Sequence, residues 1–105
     1  MVAESNALRL DKWLWQARFL KSRSMAAALC EGGGITVNGA PVDKASRLVR
    51  PGDVVAFPAG PWLRSVRVLA LGERRGPAPE ARALYEELSL VRLDAEGAFH
   101  RRPVG

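Results

Sequence analysis

The stretch Leu8 to Gly39, LRLDKWLWQARFLKSRSMAAALCEGGGITVNG, leaves this chain few ways to fold. At about 100° per residue, Leu10, Trp13, Leu14, Ala17 and Leu20 share one side. That apolar stripe predicts a helix over about Leu10–Leu20. Asp11, Trp15, Arg18 and Phe19 fall on the opposite side, with Lys12 beside them and Arg9 and Gln16 on a flank. Lys21-Ser22 is a corner. A hydroxyl of Ser22 or Ser24 can accept a free backbone N–H there and start a second helix, Arg23 to Glu31. The spacing of Met25, Ala28 and Leu29, with Ala26 at the edge, predicts its inward face. Gly32-Gly33-Gly34 stops it. Ile35-Thr36-Val37 alternates as a strand, and Asn38-Gly39 is a hairpin turn because both residues tolerate positive φ.

The rest of the chain reads more loosely. Pro41 and Val42 begin the return strand, and Lys44 to Arg50 is an irregular connection. Pro51-Gly52-Asp53 is a turn, Val54 to Phe57 a buried strand, Pro58 to Pro61 a loop, and Ser65 to Leu71 the last strand of the sheet. Glu73-Arg74-Arg75-Gly76 is a charged link. Pro79 and Glu80 open a further helix, whose apolar stripe is Ala81, Leu84, Tyr85 and Leu88. Val91 and Leu93 make a small strand, and His100-Arg101-Arg102 a basic tail. The division is 1–7 flexible, 8–72 the main domain, and 73–105 the C-terminal helix and tail.

With 105 residues there is material for one core. Lys and Arg outnumber Asp and Glu, 16 to 11, for a net charge of +5. That excess favours a polyanion: RNA, DNA or an anionic membrane surface. Cys30 is the only cysteine and His100 the only histidine, so neither an internal disulfide nor a zinc cluster is expected. A single free cysteine suits a reducing cytoplasm, and Cys30 reads as a small buried helix residue. No segment approaches the roughly 20 apolar residues of a membrane span. No nucleophile–base set or carboxylate pair is visible. The glycine run lacks the lysine and hydroxyl of a phosphate-binding loop. The chain is therefore expected to be no enzyme, with no cofactor, metal or small-molecule substrate.

The basic residues are placed with purpose. Arg9, Lys12, Arg18, Lys21 and Arg23 are opposed within their stretch only by Asp11. A solvated face usually mixes its signs. Lysine offers phosphates a compact charge, and arginine a two-pronged fork. Ser22 and Ser24 add neutral donors at a helix N-terminus. Trp15 and Phe19 lie outward among these cations. They either stack on bases or pack under the C-terminal segment. Asp11 is read as orienting Lys12 or Arg18. A second basic group, Lys44, Arg47 and Arg50, either extends this surface or is loop charge; Arg74 and Arg75 stand likewise.

Arg9-Leu10-Asp11-Lys12-Trp13-Leu14, Lys21-Ser22-Arg23-Ser24, Glu31-Gly32-Gly33, Val37-Asn38-Gly39 and Pro51-Gly52-Asp53, in that order, resemble the S4 RNA-binding domain. The resemblance implies an α+β fold: two packed helices against a small, bent antiparallel sheet, with RNA on the helical pair and neighbouring turns. Trp13 to Phe19 and the run from Glu73 to Glu87 resemble, more narrowly, the bacterial fifteen-kilodalton heat-shock protein family. That likeness implies docking on ribosomal RNA of free large subunits that carry a nascent chain on tRNA; a monomer is the default expectation. By carry-over the RNA contacts are Arg9, Lys12, Arg18, Lys21, Ser22 and Arg23, with Lys44, Ser46 and Arg47 in support. Trp15 joins them as the outward aromatic. Relatives often have a basic residue where Gly34 stands, and a longer, lysine-rich C-terminal extension. Two rival readings use the same surface: an accessory subunit of an RNA-modifying enzyme, and a protein-interaction module in which Trp15 and Phe19 face a peptide.

Overall fold

Helix α1 spans Leu10–Gln16 and ends a full turn before Leu20. The structure, a computed structural model, describes residues 6–93 and 99–100. The early stop has a visible cause. Arg18 takes the left-handed backbone at φ 68°. Its N–H bonds Trp15 O at 3.1 Å, and the Phe19 N–H reaches back to Leu14 O at 3.1 Å. Those two bonds form the Schellman end, which glycine usually closes. A side chain in that conformation costs about 1–2 kcal/mol. The Arg18 Nε–H bond to Gly76 O, at 2.8 Å, offsets part of it.

Helix α2 spans Arg23–Glu31, and of the two serines that could cap it Ser22 does so, its hydroxyl accepting the Met25 N–H at 3.1 Å. Its inward face differs from the expected one. Ala26 and Cys30 are buried, whereas Met25 and Ala28 are exposed and Leu29 is half-buried. Small side chains point inward because α2 packs on α1, whose Trp13 and Leu14 already fill the space between.

A two-stranded ribbon joins β1 (Leu8–Arg9) to β4 (Leu48–Val49), so the connection expected to be irregular is partly a strand. The main sheet is antiparallel and six-stranded. It contains β2 (Thr36–Val37), β3 (Ala40–Pro41), β5 (Val54–Ala59), β6 (Trp62–Val68), β7 (Tyr85–Leu93) and β8 (Phe99–His100), in the order β3-β2-β5-β6-β7-β8. The β2–β3 turn is Asn38-Gly39 at φ 52° and 84°, the type I′ geometry. Asn38 Oδ1 also takes the Val54 N–H at 2.8 Å, which ties the hairpin tip to β5.

Two expectations are corrected along β5, β6 and β7. Pro58 to Pro61 is no loop: β5 and β6 meet at a two-residue turn, Gly60-Pro61, with Gly60 at φ 62°. Pro58 is tolerated because β2 has already ended opposite Ala56, so no neighbour needs its missing N–H. The strand expected at Ser65 to Leu71 is β6, which starts at Trp62 and ends at Val68, and it is not the last of the sheet, since β7 and β8 follow.

The C-terminal helix is present as α3 (Ala78–Arg82), but it does not reach Leu88. Tyr85 onward is the long strand β7, which absorbs the separate strand expected at Val91 and Leu93. Two cross-strand ion pairs favour the extended form: Arg67–Glu86 at 2.8 Å and Arg64–Glu87 at 2.7 Å. The expected stripe splits accordingly. Ala81 and Leu84 are buried, Tyr85 is half-buried and Leu88 lies on the surface. The basic tail beyond His100 lies outside the described residues.

The core joins Leu10, Trp13, Leu14 and Ala17 of the helical layer to Val55, Phe57, Val66 and Val68 of the sheet. The Trp13 indole N–H bonds Ala70 O at 3.0 Å, pinning α1 to the chain after β6. Gly72 sits where a Cβ would come within 2.8 Å of the buried Gln16 Oε1.

Candidate nucleic-acid interface

Asp11 organises the surface. Its side chain is only 4% exposed, yet it holds two arginines that are 47% and 43% exposed. Arg9 grips it with two bonds, Nε to Oδ1 at 3.1 Å and Nη2 to Oδ2 at 3.0 Å. Arg23 Nη2 lies 3.7 Å from Oδ1. The Lys12 backbone N–H donates to the same oxygen at 2.8 Å. The carboxylate thus faces inward and the guanidiniums outward, joining the start of α1 to the start of α2. It orients Arg9 and Arg23, not the expected Lys12 or Arg18. Its hydrogen bonds and charge hold the Arg9 guanidinium above the usual arginine pKa. One negative group against two positive ones leaves the cluster cationic before any lysine is added.

Lys21 is exposed and Lys12 half-buried, and neither has a carboxylate within ion-pair distance among the described residues. Ser22 Oγ caps α2 and lies 3.4 Å from Ser24 Oγ. The second basic group is fastened to the first. The Leu10 N–H donates to Arg47 O at 2.7 Å and the Asp11 N–H to Ala45 O at 3.4 Å. Buried Val42, Ala45 and Val49 anchor that connection, leaving Lys44, Ser46 and Arg50 exposed and Arg47 half-buried. Its proximity to the start of α1 favours an extension of the surface over ordinary loop charge.

The far end of α1 is arranged differently. Arg18 is exposed, but its Nε is bound to Gly76 O. Trp15 is half-buried, with the Arg75 guanidinium 5.9 Å from its ring centroid. Phe19 is not on the outside. Its ring centroid lies 5.9 Å from Trp13, 4.9 Å from Phe57 and 4.6 Å from Tyr85. Arg64 covers it at 4.7 Å. The turn made at Arg18 swings Phe19 inward, an outcome that helical periodicity carried on to Leu20 cannot foresee. Arg75 is no spare loop charge either: its Nε–H bonds Trp15 O at 3.0 Å and its Nη2 reaches Leu20 O at 3.4 Å. Nothing local in the sequence marks it, since its partners lie far back in the chain.

Among the described residues, no group of three or more His, Cys, Asp or Glu is placed to hold a metal ion, and no helix is long and apolar enough to cross a membrane. The Cys30 thiol is buried, and burial pushes its pKa up to about 11.

Comparison with known proteins agrees with this frame. The family model for the S4 domain matches residues 8–55. A heat shock protein 15 homolog from Haemophilus influenzae is 40% identical over 96 residues, covering 90% of this chain and 72% of that protein. The chain belongs to the heat shock protein 15 family. A solved trimeric structure of Vibrio cholerae heat shock protein 15 superposes with a TM-score of 0.73 at 36% identity, over 87% of this chain and 85% of the other. An RQC P-site tRNA stabilizing factor from Halalkalibacterium halodurans is 40% identical over 79 residues, 75% of this chain and 88% of that one. The S4 match ends inside β5. The heat shock protein 15 likeness therefore also takes in regions beyond it, where the link at Arg75 and the strand β7 lie.

Proposed function

We propose that this member of the heat shock protein 15 family is a ribosome-associated RNA-binding protein. It docks on structured ribosomal RNA of free large subunits, beside peptidyl-tRNA where one is present. The single observation that carries the reading is the helical corner: two outward arginines share one buried carboxylate, with Lys12 and Lys21 alongside. The proposed contacts are Arg9, Lys12, Lys21, Ser22 and Arg23, with Lys44, Ser46 and Arg47 continuing the surface. Arg18 and Trp15 contribute from the far end of α1. The S4 match and the tRNA-stabilizing name of one relative support RNA as the partner.

Docking of this kind is electrostatic and needs no covalent step. If about five phosphates are neutralised, the logarithm of affinity should fall with the logarithm of salt at a slope of roughly −4. The test is sedimentation through sucrose gradients after heat stress, with the protein followed by immunoblot. The expected result is co-migration with free large subunits at low salt and release as salt rises. A protein that stays at the top of the gradient at every salt concentration would falsify the reading. Phe19 packs against Tyr85 and Phe57, which takes away half of the aromatic pair that a peptide-binding module would use.

A further inference from the structure

The link between β6 and α3 is buckled to the end of α1 by two arginines working in opposite directions. Arg75, from the link, donates to Trp15 O at 3.0 Å and Leu20 O at 3.4 Å. Arg18, from the helix end, donates to Gly76 O at 2.8 Å. Trp15 O, which already takes the Arg18 N–H, accepts Arg75 as a second donor at the C-terminal end of α1, a place where cations are favoured, and Leu20 O lies just past the turn. Its guanidinium also lies over the Trp15 ring. Gly76 is buried beneath this crossing.

Trp15 and Leu20 bracket the turn at Arg18, and Lys21, Ser22 and Arg23 follow directly. Ser22 starts α2, and Arg23 reaches Asp11. A residue that fixes the carbonyls at 15 and 20 therefore fixes the direction in which 21 to 23 leave the corner. We infer that Arg75 is a positioning residue for RNA binding: it locks the α1–α2 corner so that Lys21 and Arg23 are presented together. Its Nε and Nη2 donate to backbone carbonyls, so on this inference it acts through the corner and not on a phosphate. The inference rests on the RNA-binding reading above and adds a residue outside the S4 match.

Salt dependence separates positioning from contact. A residue that neutralises a phosphate changes the slope of log affinity against log salt by roughly 0.9 in duplex nucleic acid. A residue that only orders the surface lowers affinity at unchanged slope. The probe is a short fluorescein-labelled RNA stem–loop, followed by anisotropy, with wild type, Arg75→Ala, Arg75→Gln, Arg75→Lys and Lys21→Ala compared. The two neutral Arg75 variants are expected to bind about tenfold more weakly, since the corner must then be ordered at the moment of binding, with the wild-type slope. Arg75→Lys keeps a cationic donor and recovers most of the loss. Lys21→Ala is expected to lose slope. Hydrogen exchange at the Arg18 and Phe19 amides should quicken in Arg75→Ala.

Wild-type affinity in the neutral variants overturns the inference, even if corner exchange quickens. A slope lowered as in Lys21→Ala also overturns it, because Arg75 would then be a phosphate contact. If Arg75→Ala does not fold, Arg75→Gln carries the same comparison. Failure of the wild type to bind both the stem–loop and large subunits removes the RNA-binding reading itself, a result distinct from either of the others.

Discussion

At the helical corner two arginines share one carboxylate; across β6 and β7, Arg64 and Arg67 have one each. Arg9 and Arg23 divide Asp11, while Arg64 pairs with Glu87 and Arg67 with Glu86. Arginine meets a carboxylate in both places, at 3.0 and 3.7 Å in the corner and at 2.7 and 2.8 Å in the sheet. The difference is stoichiometry. Each sheet pair is neutral and does the work of a cross-strand contact, holding β7 beside β6. The corner keeps an outward surplus on a buried hinge, which is what a polyanion needs and what a fold left to itself would avoid. The number of arginines does not distinguish a binding surface from a structural one. On the proposed reading, the ratio of outward cations to the anions that orient them does.

The strongest way to break this comparison is to remove the two lysines of the corner, which have no ion pair among the described residues. Lys12→Ala combined with Lys21→Ala is expected to weaken binding to large subunits at least about tenfold and to flatten the salt slope by roughly 1.8. Arg67→Ala combined with Glu86→Ala should leave both unchanged. Equal binding by the two double variants, measured side by side with melting curves as a control, would end the distinction.

A second test acts on the shared carboxylate. Asp11→Ala leaves Arg9 and the Lys12 N–H without their acceptor, and Arg23 without its counter-charge. A loss of about 2–3 kcal/mol is expected, seen as a fall in Tm of roughly 10 °C or more. Glu86→Ala should cost far less. Similar losses would mean that the corner's anion is as dispensable as one in the sheet.

The core behind the corner responds to pH. The Cys30 thiol rises from 9.0 to about 11 because burial disfavours the thiolate. Between those values the native state keeps a proton that the unfolded chain releases, so stability falls as pH rises through that window. The full loss across the window is at most about 3 kcal/mol. Denaturant melts of wild type and Cys30→Ala at pH 8 and pH 11 should show a steeper fall for the wild type; parallel curves would refute it.

The smallest effect sharpens the other side. A double-mutant cycle on Arg67 and Glu86 should give a coupling near 0.5 kcal/mol that shrinks with added salt, as for exposed ion pairs. A coupling of several kcal/mol would make the sheet pairs, not the corner, the electrostatic centre of the molecule.

How much of this was legible differs along the chain. The Ser22 cap, the Asn38-Gly39 hairpin, the Pro51-Gly52 turn and the buried stripe of α1 depend on neighbours a few residues apart. The cap and the turns appear where the sequence places them, and so does the stripe from Leu10 to Ala17, although Leu20 is only half-buried and Asp11 and Gln16, expected off the core side, are buried too. The early end of α1 was hidden because an arginine, not a glycine, takes the left-handed turn. The strand at Tyr85–Leu93 was hidden because its apolar spacing also suits a helix. Only β6, with Arg64 and Arg67 waiting, decides between the two.

By itself the sequence determined which local turns and caps exist and where positive charge accumulates, since those follow from side-chain chemistry over one or two turns of chain. The tertiary structure decided which cations remain available. Asp11 takes Arg9 and Arg23 as outward partners, Gly76 engages Arg18, and Arg75 is turned onto the carbonyls of Trp15 and Leu20. The physical reason is reach: a guanidinium bonds whatever acceptor folding brings within about 3 Å, and three of these acceptors lie more than fifty residues away in sequence.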